Sequence, residues 1–162
     1  MCWTTTYNSH KQPRRAGKDL KVFKICLRCP THDAVKSYYT GYVYTIGKTN
    51  KLEGGLKPTS PYNNINSVMY DMIFIHRGFH SYNPDKVEIK VNKSIGGERG
   101  YDIHVIPIGI NHCIDNFGCI DPDMFVKVSC IIPEGAEYYE NHNGEIVSES
   151  IRIEKFEPII KD

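Results

Sequence analysis

The chain has 162 residues, of which 40% are apolar and 24% are charged, the balance of an ordinary globular domain long enough for one core. Its 20 basic and 19 acidic side chains give a net charge of +1, which argues against broad electrostatic binding of duplex nucleic acid. No run approaches the ~20 apolar residues of a membrane helix, and the N-terminus lacks the apolar segment of a secretory signal. We therefore expect a cytoplasmic protein without a membrane partner, with its six Cys as thiols.

Residues 1–19 are polar and carry a group of basic side chains. We interpret them as a flexible basic leader that is a solvated arm or, as the less common alternative, a phosphate-binding arm. Residues 20–162 are predicted to form a single domain. The basic side chains of the leader are Lys11, Arg14, Arg15 and Lys18.

The predicted elements, in chain order, are mostly strands. "LKVFKICLRC" (20–29) has a strand pattern that Pro30 stops, and residues 37–50 alternate Tyr with small residues before a turn at Gly47. The Gly, Pro, Ser and Asn of 51–66 predict a long loop, which would be a lid or a plain connection. Residues 65–82 predict a short helix that leads into a buried strand. Further strands are predicted at 86–91, 101–110, 124–133 and 149–160.

These six or seven strands, with one or two short helices, predict an α+β fold in which β dominates. We expect two small sheets packed against each other. The chain contains no internal repeat.

Two pairs of Cys have spacings that raise the question of a metal site. Cys26 and Cys29 are separated by two residues, and Cys113 and Cys119 lie beside His112; four such ligands would suit zinc. The first pair lies in an apolar strand without the Pro or Gly that shape a zinc knuckle, and buried thiols commonly act as small apolar residues. We predict no metal site.

The stretch "CIIPEGAEYYENHNGEIVSESIRI" (130–153) reads as a strand, a loop with Asn-Gly, and a second strand that begins at Glu145. A carboxylate immediately after such a turn is either a solvated turn residue or a catalytic group. The sequence alone leaves both interpretations open.

Three segments together resemble the motifs of the ADP-ribosyltransferase superfamily. "KVFKICL" (21–27) occupies the place of the first motif, "RGFHSYN" (77–83) resembles G-F-x-S-T-S, and 131–153 resembles the third, with Glu145 on the catalytic position. The resemblance implies a nucleotide cleft between two small sheets, binding NAD. It also implies that Lys24 replaces the Arg or His that holds phosphates or ribose, and that Asn143 replaces a second Glu or Gln.

The chain also resembles small uncharacterised proteins of phages and gut bacteria, on its M-C start, "GFHSY" and the C-terminal pattern of 131–153. The altered motifs favour a phage-type accessory protein that sequesters a nucleotide-type ligand, such as an ADP-ribose derivative or a cyclic dinucleotide immune signal, in the host cytoplasm. One alternative is an active NAD-dependent ADP-ribosyltransferase with Glu145 catalytic. A further alternative is a structural phage component without a ligand.

Each candidate site residue has a predicted role. Tyr side chains stack on a base, basic side chains pair with phosphates, and polar side chains hold ribose hydroxyls. No cofactor is expected unless the chain is a transferase, which would use NAD, and self-association stays open. The candidate residues are Lys24, Arg77, His80, Ser81, Tyr82, Tyr138, Tyr139 and Glu145. The interpretation requires Lys24, Ser81 and Glu145 to face one pocket.

Overall fold

The computed structural model describes residues 3–5, 12–59, 73–93, 100–110 and 112–160. In this part of the chain every regular element is a strand, and none is a helix. The prediction of an α+β fold with helices is therefore wrong, because the described chain is all-β. The residues at which a helix was expected to begin, 65–72, lie outside the described residues.

The described chain forms sixteen strands, most of them short. Only five have seven residues or more, and they match the stretches that the sequence predicted as strands. In chain order the strands are β1 (Trp3–Thr5), β2 (Arg14–Arg15), β3 (Leu20–Arg28), β4 (Ala34–Lys36), β5 (Val43–Thr45), β6 (Thr49–Lys51), β7 (Pro58–Thr59), β8 (Ile73–Ile75), β9 (Phe79–Tyr82), β10 (Val87–Lys93), β11 (Tyr101–Pro107), β12 (Asp115–Cys119), β13 (Phe125–Ile132), β14 (Glu137–Glu140), β15 (Glu145–Ser148) and β16 (Ser150–Pro158).

The largest sheet has ten strands rather than the small size that we expected. Its order is β2-β14-β15-β9-β3-β13-β16-β6, and β4 pairs with both β3 and β5 beside this path. Side chains on one of its faces, from strands as far apart as β14 and β5, pack together in a single cluster. The sheet must therefore curl around that cluster, which we call the inner core; it includes Val22, Cys26, Val128 and Ile153.

Two three-stranded sheets cover the other face of the large sheet. One has the order β10-β11-β12 and packs its Ile103 and Phe117 against Phe23, Ile25 and other residues of the large sheet. The second has the order β1-β8-β7, and its Trp3 and Ile75 pack against Tyr139 and Val147. We call these two clusters together the outer core; one includes Phe23, Ile103 and Phe117, and the other includes Trp3 and Tyr139. The outer core lies on the opposite face of the large sheet from the inner core.

The alternation of β3 explains how one strand serves two cores. Successive side chains of a strand point to opposite faces, so Val22, Lys24 and Cys26 belong to the inner face while Phe23 and Ile25 belong to the outer face. All five are buried. A strand that is buried on both faces reads as a nearly continuous apolar run, which is why 20–29 was easy to recognise.

The segment predicted as a flexible leader contributes two strands in its described residues. Trp3 is 1% exposed and its strand β1 pairs with β8. Ala16 is buried in the inner core, next to β2, which pairs with β14. These contacts tie both described parts of residues 1–19 to the body of the molecule.

A search of the described residues for a helix long and apolar enough to cross a membrane finds none.

Candidate ligand cleft

A cleft of about 560 Å³ opens beside β3, where two neighbouring strands leave its edge uncovered. β9 pairs with β3 at Phe23 alone, and β4 pairs with it only from Leu27 onward. Three consecutive residues between these points, Lys24 to Cys26, line the cleft. Because consecutive side chains point to opposite faces, a cavity that touches all three must run along the edge of the strand. Its volume lies in the range of small-molecule sites.

Aromatic side chains form most of one wall. Residues 37–42, which we call the tyrosine loop, bring Tyr38, Tyr39 and Tyr42 to the cleft, and each of these side chains is about half exposed. Tyr38 packs edge-on against Phe117 of the outer core, with ring centroids 5.6 Å apart. The loop is thus held by a side chain that reaches over to the small sheet β10-β11-β12.

Lys24 is the buried cation of the cleft. Its residue is 8% exposed, its Nζ donates a hydrogen bond to the carbonyl oxygen of His80, and Nζ lies 5.3 Å from the ring centroid of Tyr44. In the described part of the chain, no ion pair involves Lys24. Burial acts to lower the pKa of Lys24, but Tyr44 and the thiols of Cys26 and Cys130 outweigh it, so the pKa lies above its ordinary value. The amine is therefore a charged donor and a poor nucleophile.

The thiols near Lys24 stay protonated. Burial raises the pKa of Cys26 to about 11 and that of Cys130 to about 12, against the opposing effect of Lys24. Neither is a thiolate nucleophile at neutral pH. Cys26 lies in the inner core, Cys119 lies in the outer core and Cys113 is exposed, so in the described structure the Cys pairs do not converge on one zinc site.

A carboxylate lies behind two tyrosines of the cleft. Asp115, the first residue of β12, accepts hydrogen bonds from the hydroxyl of Tyr39, at 3.3 Å, and from the hydroxyl of Tyr82. Burial raises the pKa of Asp115, whereas the bonds from Tyr82 and Tyr39 favour its ionised form. Burial and the Asp115 charge raise the pKa of Tyr82 and raise that of Tyr39 to about 12. Both phenols therefore keep their protons at neutral pH.

Glu145 lies near the same carboxylate. It pairs with Tyr82 across β15 and β9. Burial and the negative charge of Asp115 raise the pKa of Glu145, and Asn143, Asn141 and His112 partly oppose the rise. The turn before Glu145 is fixed by the Asn141 side chain, whose Oδ1 accepts from the backbone N–H of Glu145 at 3.1 Å.

The expected convergence of Lys24, Ser81 and Glu145 is not found. Phe23 pairs with Tyr82 and Tyr82 pairs with Glu145, which puts these three side chains on the outer face. Lys24 and Ser81, one position along, lie on the inner face. Glu145 is therefore separated from the other two by the sheet itself.

The structure brings four of the predicted site residues to the cleft, Lys24, Arg77, His80 and Tyr82. The other four do not line it. Ser81 is buried, and its Oγ has no hydrogen-bond partner in the described structure. Tyr138 packs against the inner core, while Tyr139 is buried 5.7 Å from the ring of Trp3.

Several cleft residues were missed by the sequence analysis. The alternating Tyr of 37–50 predict a strand, although flat amphipathic rings on a loop are also a signal of a binding surface. Asp115 gave no signal, because it lies between Ile114 and Asn116 in a short stretch without a recognisable motif. The missed residues are Tyr38, Tyr39, Tyr42 and Tyr44, which line the cleft, and Asp115, which lies behind Tyr39 and Tyr82.

No family model matches the chain, and comparisons with the curated proteins and with the solved structures found no match to it.

Proposed function

We propose that the chain binds a small anionic ligand of the nucleotide type in this cleft and holds it without turning it over. The observation that carries the proposal is the buried ammonium of Lys24 at the edge of an aromatic cavity. A buried charge is costly unless it is paired, and Lys24 has only a carbonyl, a phenol and two thiols around it in the described structure. A ligand phosphate would supply the missing negative charge.

The rest of the cleft supports the same class of ligand. Arg77 and Lys51 are exposed cations on its lining, opposed there by the single carboxylate of Glu53. The rings of Tyr38 and Tyr42 offer faces or edges for a base, and stacking of one base on an aromatic ring contributes about 1–3 kcal/mol. An ammonium has three donors, and in the described structure Lys24 directs donors to the His80 carbonyl and to the phenol of Tyr44. ADP-ribose derivatives and cyclic dinucleotides both carry the required phosphate and base.

The transferase alternative requires Glu145 near the bound ribose. Glu145 does not line the cleft, although its cross-strand partner Tyr82 does. The geometry therefore favours binding over transfer. A cytoplasmic location belongs to the same proposal, and the free thiols of five described Cys support it.

The test is calorimetric titration with AMP, ADP-ribose, NAD and cyclic di-AMP, followed by recovery of the ligand after denaturation. We expect at least one of them to bind and to be recovered intact. Lys24→Met should weaken that binding by about 30-fold or more, because loss of one partner of a buried charged pair costs at least ~2 kcal/mol. Lys21→Met, on the exposed part of the same strand, is the matched control and should bind as the wild type does.

Two results would contradict the proposal. If none of the four nucleotides binds, the proposed nucleotide-type ligand is wrong. Release of nicotinamide from NAD would show turnover and would favour the transferase alternative instead.

A further inference from the structure

The hydroxyl groups of three cleft tyrosines all have their proton committed to a partner within the protein. Tyr39 and Tyr82 donate to the two carboxylate oxygens of Asp115. Tyr42 donates to Oδ1 of Asn50 at 3.0 Å. A phenol has one donor and spare acceptor capacity, so each of these oxygens can only accept a further hydrogen bond.

Asn50 and Asp115 can only be the acceptors in these hydrogen bonds, and the tyrosines can only be the donors. Nδ2 of Asn50 faces the carbonyl oxygens of Lys48 and Ile151, at 3.3 and 3.4 Å, which fixes the amide so that its oxygen faces Tyr42. An ionised Asp115 has no proton to donate. The phenols of Tyr39 and Tyr82 keep theirs, as described above. Asp115 and Asn50 therefore determine that the hydroxyl oxygens of the three tyrosines are acceptors toward a ligand in the cleft.

We propose that Asp115 is a positioning residue: it holds the protons of Tyr39 and Tyr82, so that these phenol oxygens act as hydrogen-bond acceptors and the cleft selects a base carrying an amino group. Lys24 and the exposed cations offer donors to the phosphate at one part of the cleft, and the phenol oxygens receive N–H groups from the base at another. The inference rests on the proposed function and specifies its ligand: an amino-substituted nucleotide such as an adenine nucleotide.

The experiment compares AMP with purine riboside 5′-monophosphate, which is the same nucleotide without its 6-amino group. We expect AMP to bind about tenfold more tightly to the wild type, the effect of one hydrogen bond whose loss leaves a desolvated acceptor. In Tyr39→Phe, which removes only the hydroxyl of a half-exposed side chain, the preference should fall by at least threefold.

Asp115→Asn should also reduce the preference. The carboxylate accepts from Tyr39 on one oxygen and from Tyr82 on the other, whereas an amide has a single oxygen, so one phenol becomes free to donate. Tyr101→Phe, the same chemical change outside the cleft, is the control and should keep the tenfold preference. If Asp115→Asn does not fold, the Tyr39→Phe ratio decides.

The outcomes separate the two proposals. Equal binding of the two nucleotides, with both weakened by Lys24→Met, overturns the inference and leaves the proposed function standing. An unchanged preference in folded Asp115→Asn and in Tyr39→Phe also overturns it. Failure of the wild type to bind either nucleotide overturns the inference, and the proposed function falls with it only if ADP-ribose, NAD and cyclic di-AMP also fail to bind.

Discussion

The two faces of the strand pair β3 and β9 hold their charges in opposite ways. On the inner face, the Lys24 ammonium lies among a carbonyl, a phenol and thiols, with no described carboxylate in an ion pair with it. On the outer face, the carboxylates of Asp115 and Glu145 lie near each other and near Tyr82. Lys24 lies in β3, whereas Asp115 and Glu145 lie in β12 and β15, and the cation and the two carboxylates belong to opposite sides of the large sheet.

This difference shows that pairing within the protein is not what retains these charges. A buried ion pair is often no more stable than an apolar replacement, and here even that pairing is absent. Lys24 lines the cleft, where the proposed function supplies an external partner for its charge. Asp115 and Glu145 instead use hydrogen bonds, from Tyr39, Tyr82 and the Asn side chains of the β14–β15 turn.

The largest effect should come from breaking the turn that places Glu145 on the outer face. Gly144 has a φ of +84°, and a Cβ added there would lie 2.8 Å from Cγ2 of Val87 and 2.9 Å from Cβ of Lys86. Gly144→Ala should lower the free energy of unfolding by about 3 kcal/mol, from backbone strain and overpacking together. Chemical denaturation measures the loss.

Gly47→Ala is the matched control for that change. Gly47 has nearly the same φ, +83°, but an added Cβ would meet no atom within 4 Å. It should lose only about 1 kcal/mol, the cost of the left-handed conformation. Equal losses in the two variants would mean that the contacts with Val87 and Lys86 do not constrain the turn.

The next effect concerns the cation. Lys24→Met keeps the length of the side chain and removes its charge. The pKa of Lys24 is raised, so the folded protein favours the charged amine, and this contribution to stability is fully present at neutral pH, below the unfolded value of about 10.4. The unliganded variant should therefore lose about 1–2 kcal/mol of unfolding free energy, together with the hydrogen bond to the His80 carbonyl. Lys21→Met should leave the stability within about 0.5 kcal/mol. A Lys24→Met protein more stable than the wild type would contradict the raised pKa.

The sequence predicts the long strands of this fold and misses the short ones. β3, β10, β11, β13 and β16 have the alternation or the β-branched runs that make a strand recognisable. β2 and β7 have two residues each, too few for any period, and they exist because a distant strand pairs with them. The tertiary partner decides such strands, and a local pattern contains no information about it.

The candidate site was half predictable for a related reason. Motif positions led to Lys24, Arg77, His80 and Tyr82, which line the cleft, and also to Ser81 and Glu145, which do not. A shift of one residue along a strand moves a side chain to the other face. Whether Lys24 shares a face with Ser81 or with Tyr82 depends on the pairing of Phe23 with Tyr82, which only the folded structure supplies.

A smaller effect tests the carboxylates by pH. The folded pKa values of Asp115 and Glu145 are raised, mainly by burial, so the folded state binds protons at a higher pH than the unfolded chain does. Their contribution to stability is full below the unfolded values, about 4, and is lost as the pH rises through the raised folded values, with at most about 1.4 kcal/mol per pH unit for each group. Neighbours that also face this pair are Tyr39, Tyr82 and His112.

Glu145→Gln removes one of these groups. Relative to the wild type, the variant should be equally or more stable at neutral pH, and this advantage should shrink as the pH falls toward 4. Thermal melts between pH 4 and pH 8 measure the difference, with the exposed Glu134→Gln as the control. An advantage that grows on acidification would contradict the raised pKa of Glu145.

The smallest effect separates a buried cation from an exposed one in the same cleft. Arg77 lines the cleft but is exposed, so its attraction to a ligand phosphate is weakened by water and by salt. Arg77→Ala should reduce affinity only about two- to fivefold, and the reduction should vanish near 1 M salt, where the screening length is about 3 Å. Arg14→Ala, exposed on β2, should have no effect. If Arg77→Ala weakened binding as much as Lys24→Met does, the phosphate would lie at the mouth of the cleft rather than at the β3 edge, and the buried ammonium would lose its role as the principal anion site.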